Sequence, residues 1–68
     1  MNRPPLRQLV ALYALEDGYR HANVALRHDV TRDRLRVVWE QRRDAARCTR
    51  DRWYALGVLV ALADLEDV

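Results

Sequence analysis

No lysine, serine, isoleucine or phenylalanine occurs in this 68-residue chain, and cysteine, methionine, glycine and proline are nearly absent. Cys48 stands alone, so no intramolecular disulfide can form, and one thiol with two histidines at no CxxC or HxxxH spacing makes a poor zinc site. Without serine, Thr31 and Thr49 are the only aliphatic hydroxyls, both best used as helix caps, and nucleophilic catalysis lacks a constellation. Two glycines cannot build a phosphate-cradling loop. No enzyme activity, cofactor or metal is therefore expected. The longest apolar run, residues 53–63, is about half the ~20 residues of a membrane span, and the N-terminal residues have no signal-peptide core. The expectation is a cytoplasmic protein without a membrane partner.

What is present points to a single folded unit. Half of the chain is hydrophobic and 32% charged, too apolar for a disordered tail. Below ~70 to 80 residues one core rarely supplies more than about 3 to 5 kcal/mol, so a supplement is needed, and with disulfide and metal set aside oligomerisation remains. All twelve basic residues are arginine, which reflects a GC-rich coding background as readily as a function. Their distribution is more telling than the net charge of +2. Residues 1–29 sum to +1, residues 30–52 to +4 and residues 53–68 to −3, which makes the middle the basic segment.

Ala, Leu, Arg, Glu and Gln dominate, and the whole chain reads as helical, an all-α domain of three to four helices. Pro4 and Pro5 suit a first helical turn, and Leu6, Leu9, Val10, Leu12 and Tyr13 follow at helical spacing, predicting a first helix over residues 5–16. Asp17-Gly18 reads as a turn, followed by a second helix from Tyr19 to His28 with Ala22, Val24, Ala25 and Leu26 partly inward. Thr-Arg-Asp-Arg occurs at Thr31 to Arg34 and again at Thr49 to Arg52, each time as a helix-start signal: a threonine N-cap, an acid in the first turn and flanking apolar residues, Val30 with Leu35 and Cys48 with Trp53. The copies lie eighteen residues apart, five turns at 3.6, so one uninterrupted helix from Thr31 to Leu65 is the alternative to a break near Cys48-Thr49.

From Val24 the chain resembles a helix-turn-helix over residues 19–47. Ala25 supplies the small residue where two helices cross, Asp29 stands where a left-handed glycine is usual, Val30 closes the turn, Thr31 caps the second helix, and Leu35 and Val38 anchor it. His28 occupies a position that is usually apolar. Further out, Leu9-Val10-Ala11-Leu12 with Glu16-Asp17-Gly18, the glycine seven residues before Ala25, and the spacing from Leu35 to Cys48-Thr49 look like the tetrahelical DNA-binding domain of LuxR-type regulators and the related region four of sigma factors. Arg47 replaces the glycine expected before the fourth helix. The resemblance implies a module that puts its third helix into the DNA major groove and dimerises through the fourth.

With Leu35 as the inward direction, Thr31, Val38, Trp39, Arg42, Ala45 and Ala46 form the buried stripe, and Arg32, Asp33, Arg36, Glu40, Arg43 and Arg47 gather opposite. Arginine binds phosphate bidentately and reads guanine O6 and N7, and the start of a recognition helix reaches base edges first. Arg32 and Arg36 are thus the candidate base contacts, with Arg20, Arg27, Arg34, Arg43 and Arg47 on phosphates. The competing reading is a solvated face laced by Asp33–Arg36, Glu40–Arg43 and Asp44–Arg47 pairs. Val37 points outward too, as a protein contact would require.

The segment from Trp53 to Ala63, within an apolar helix over residues 50–66, is hydrophobic around its full circumference. Leu56, Leu59, Val60 and Ala63 form one stripe and Val58, Leu62 and Leu65 another, with Gly57 permitting close approach. One stripe can face the domain and the other a second copy; the expected homodimer interface is Trp53, Leu56, Leu59, Val60 and Ala63. Trp39, Trp53, Tyr13 and Tyr54 are core or interface anchors before they are base-stacking platforms. Asp17, His21 and His28 share a face on which pairing or capping is expected rather than metal. The expected partner is double-stranded DNA, for a sequence-specific transcriptional regulator or accessory factor. The alternative is a helical interaction module of the kind phages and plasmids encode, with another protein as its partner, built as a helical hairpin or a four-helix-bundle dimer; an antitoxin or RNA-binding bundle is a third reading.

Overall fold

The computed structural model describes residues 5–66, which form three helices: α1 (Leu6–Arg27), α2 (Arg32–Ala45) and α3 (Thr49–Glu66). No strand occurs among the described residues. Pro4, expected in the first turn, lies outside them, as does the side chain of Leu65.

The two helices expected over residues 5–28 are one, because α1 runs without interruption through Asp17 and Gly18. Gly18 is not a turn residue. Its φ is negative, and a Cβ built on it would overlap the backbone carbonyl oxygen of Tyr54 in α3. Gly57 mirrors it, since a Cβ there would overlap the carbonyl oxygen of Leu15 in α1. Both glycines thus sit at one crossing where the two backbones touch, and each accepts its ~1 kcal/mol helix-propensity deficit because no side chain fits. Around Gly18 the buried stripe of α1 is Ala11, Ala14 and Ala22, also small.

This crossing inverts the expected face of α1. Leu6, Val10, Leu12 and Tyr13, which hydropathy alone would turn inward, are exposed, and Leu12 keeps 58% of its surface in solvent. Close backbone approach selects the alanine face and leaves the large side chains outside. α3 is the central element, on which α1 and α2 each pack. Ala55, Val58, Ala61 and Leu62 of α3 are buried with Ala22, Leu35 and Trp39, which explains how a helix apolar on all sides is accommodated within one chain. Among the described residues only Leu35, Trp39, Val58 and Leu62 contribute large side chains to the buried set, so the core is thin.

The corner between α1 and α2 forms where it was expected. Asp29 takes a left-handed φ of 64°, and the Val30 N–H donates to the Ala25 carbonyl at 3.4 Å, closing the helix end in the six-to-one bond of a Schellman-type turn. Thr31 has extended backbone, and its Oγ1 accepts from the Arg34 N–H at 3.3 Å. Of the two arrangements left open for residues 31–65 the broken one forms: α2 ends at Ala45, and Ala46 is extended with ψ of 129°. The second cap is displaced by one residue, however. The Asp51 N–H donates to Cys48 Sγ at 3.5 Å and the Arg52 N–H to the Cys48 carbonyl at 3.1 Å, so Cys48 holds the place that Thr31 holds in α2 and Thr49 is already helical. Thr31→Ala should accordingly cost about 1 kcal/mol in chemical denaturation, whereas Thr49→Ala should change stability by no more than a few tenths. Equal losses would place the second cap back on Thr49.

Candidate nucleic-acid interface

The basic segment is built from the Asp29 corner outward. Leu35 and Trp39 are buried against α3 and Val38 is half-buried, which fixes the rotation of α2 and leaves its far side in solvent. Arg32, in the first turn, is exposed. Arg36, one turn on, is half-buried and keeps 38% of its side chain accessible, with its guanidinium 3.9 Å from the Asp33 carboxylate. Arg43 pairs with the adjacent Asp44 at 3.3 Å instead of with Glu40. Among the described residues neither Glu40–Arg43 nor Asp44–Arg47 forms an ion pair. Exposed ion pairs contribute roughly 0 to 1 kcal/mol.

Arg32, Arg36 and Arg43 lie within an arc of about 40° along one edge of α2, while Asp33, Val37, Glu40 and Asp44 span about 60° at the centre of the outer face. Val37 is 55% exposed there. Arg47 does not extend the arginine row, because the chain leaves the helix at Ala46 and carries it into the α2–α3 connection. Arg34 is exposed and sits on the other flank of α2. On α1, Arg27 is exposed in the last turn, and Arg20 is held 2.6 Å from Glu16 on the same helix.

On α3, Leu56 and Leu59 are half-buried by the domain itself, whereas Val60 and Ala63 are exposed and Trp53 keeps 37% of its surface accessible. Val60 faces Leu12, Leu15 and Tyr19 of α1 across a shallow apolar groove of about 350 Å³, rimmed by Glu16 and Arg20.

The inner side of α2 holds a group that periodicity did not single out. The Arg42 guanidinium stands 4.6 Å over the Trp39 ring, and Trp39 packs edge-on against His21 of α1 at 5.1 Å and tilted against Tyr54 of α3 at 5.4 Å. The Tyr54 hydroxyl lies 3.1 Å from His21 Nδ1. His21 is thus engaged by two aromatic side chains, and no group of three or more metal-ligating side chains forms among the described residues. Arg42, expected in the buried stripe, is exposed, because stacking on the indole keeps its charged head in water. The Trp39–Arg42 spacing of three residues was the available signal; Arg50, brought beside them by the break at Ala46, had none. No described helix is long and apolar enough to cross a membrane. Compared with family models, curated proteins and solved structures, the chain matches none of them.

Proposed function

We propose that this chain is a small helix-turn-helix protein that binds double-stranded DNA sequence-specifically as a cytoplasmic homodimer and acts as a transcriptional regulator or accessory factor. The observation that carries the reading is the left-handed Asp29 corner leading into the Thr31-capped α2, whose arginine edge is exposed at Arg32 and half-buried at Arg36 and Arg43. In that reading, which follows the likeness to LuxR-type and sigma region-four domains, Arg32 and Arg36 meet base edges and Arg20, Arg27, Arg34, Arg43 and Arg47 meet phosphates. The thin core and the solvent-facing Trp53, Val60 and Ala63 support a second copy on α3, with Leu56 and Leu59 at the margin of that contact.

Arg32→Ala with Arg36→Ala should flatten base preference, since each bidentate arginine–guanine contact contributes about 1 to 3 kcal/mol of discrimination. Arg43→Ala should weaken binding to all duplexes alike. Fluorescence anisotropy on matched and scrambled duplexes separates these effects; equal discrimination by wild type and the double variant removes the base-reading assignment.

A second reading rests on the centre of the outer face, where Asp33, Glu40 and Asp44 surround Val37. Three carboxylates there oppose a phosphate backbone and suit a protein partner with a basic, apolar-centred surface. The version of that reading built on one uninterrupted helix through Cys48 and Thr49 is not the one that forms.

A further inference from the structure

Between the end of α2 and the first turns of α3 lies a crevice of about 670 Å³ lined by Trp39, Arg42, Arg47, Arg50, Asp51 and Tyr54, with Ala45 and Ala46 as an apolar wall. Three guanidiniums converge there beside one carboxylate, and among the described residues none of the three forms an ion pair. Clusters of like charge repel, and elsewhere in this chain Arg20 and Arg43 each have an acid at hand. The crevice therefore has a surplus of two positive charges that the protein does not compensate, which a phosphate monoester, at close to −2, does. Its volume falls in the range of about 300 to 1,000 Å³ typical of small-molecule sites and far exceeds what an inorganic anion fills. The remaining lining defines the rest of the ligand. The Arg42 guanidinium stands 4.6 Å over the Trp39 indole, and with the half-buried Tyr54 ring it offers a surface on which a planar group can stack.

We propose that this crevice binds a phosphate monoester that carries a planar ring, a nucleoside monophosphate in the simplest case, with Arg47 and Arg50 on the phosphate and the Arg42–Trp39 stack and Tyr54 against the base. The site goes beyond the DNA reading and shares only Arg47 with it, because Arg32 and Arg36 do not line the crevice. Two sources supply this chemistry, a free nucleotide and the 5′-terminal nucleotide of a single strand.

Isothermal titration calorimetry of the full chain tests it, with AMP, adenosine, inorganic phosphate and a 5′-phosphorylated tetranucleotide as probes. AMP should bind saturably at one site per chain, adenosine and inorganic phosphate at least tenfold more weakly, and Arg47→Gln or Arg50→Gln should weaken AMP at least tenfold while circular dichroism stays unchanged. A tetranucleotide that binds more tightly than AMP assigns the strand end as the source; one that binds equally or more weakly assigns the free nucleotide. Absence of saturable AMP binding, equal affinity for AMP and inorganic phosphate, or AMP affinity indifferent to both glutamine variants overturns the proposal. DNA binding by Arg50→Gln, measured alongside, separates failure here from failure of the DNA reading.

Discussion

Gly18→Ala is expected to unfold the protein or detach α1 from α3, although helix propensity alone would make the same change stabilising by about 1 kcal/mol. The two effects differ in sign, and their magnitudes decide between them. A methyl group on Gly18 meets the Tyr54 carbonyl oxygen and crowds the Val58 nitrogen at 3.1 Å, both backbone atoms of a helix that cannot give way locally. Relief requires moving α3 off α1, which uncovers Ala14, Ala22, Ala55 and Ala61 together. Inserting atoms into a packed interior typically costs about 1 to 3 kcal/mol, and more where backbone opposes backbone, against a total stability of about 3 to 5 kcal/mol for a chain of this size. Gly57→Ala, directed at the Leu15 backbone, should do the same. Thermal unfolding followed by circular dichroism reads both; a raised midpoint for either variant would mean that the helices do not touch at this crossing.

Trp39→Ala should be comparably severe, and Trp53→Ala should not. Trp39 is 7% exposed and touches all three helices, resting against His21 and Tyr54 and carrying the Arg42 guanidinium. Large-to-alanine truncation at such a site costs about 3 to 5 kcal/mol, the whole of the expected stability. Trp53 is 37% exposed in the first turns of α3, so its removal from the monomer leaves no enclosed void. In the dimer reading Trp53→Ala instead lowers self-association, which sedimentation equilibrium detects while the helical signal persists. Trp53→Ala as destabilising as Trp39→Ala at concentrations where the protein is monomeric would refute this division of labour.

The parts of the fold that were legible in the sequence are those encoded by local chemistry. The corner at residues 28–31 follows from an aspartate tolerant of left-handed φ beside a threonine that caps, and the break before α3 from a repeated cap signal. Even there, the repeat marks Thr49 as the cap, whereas the capping atom is Cys48 Sγ, a weaker acceptor that sits one residue earlier, where the chain turns. What could not be read locally was set by packing. Asp17-Gly18 has the composition of a turn, and only the approach of the α3 backbone shows why the glycine is there. Likewise Ala11, Ala14 and Ala22 carry too little hydrophobicity to outrank Leu6, Leu12 and Tyr13 until the interhelical distance is known.

The same distinction applies to the candidate interface. Helical periodicity put Arg32, Arg36 and Arg43 opposite the core; they lie along one edge of α2 instead, Arg32 exposed and Arg36 and Arg43 half-buried. It placed Arg47 in the same row, which ended with the helix at Ala45, and it assigned Arg42 to the core, where stacking on Trp39 holds the guanidinium at the surface. The convergence of Arg42, Arg47 and Arg50 depends on how α3 folds back, a tertiary event without a signature at any single position.

The most direct test of the central claim is retention of the protein on a library of random duplexes across a salt series, with the bound fraction sequenced. A DNA-reading α2 predicts one enriched, twofold-symmetric sequence, affinity that falls by at least about 10³-fold between 50 and 200 mM salt for six or more phosphate contacts, and loss of the enrichment in the Arg32/Arg36 double alanine variant. Recovery of unselected sequence at every salt concentration, or no retention even at 50 mM, would contradict it.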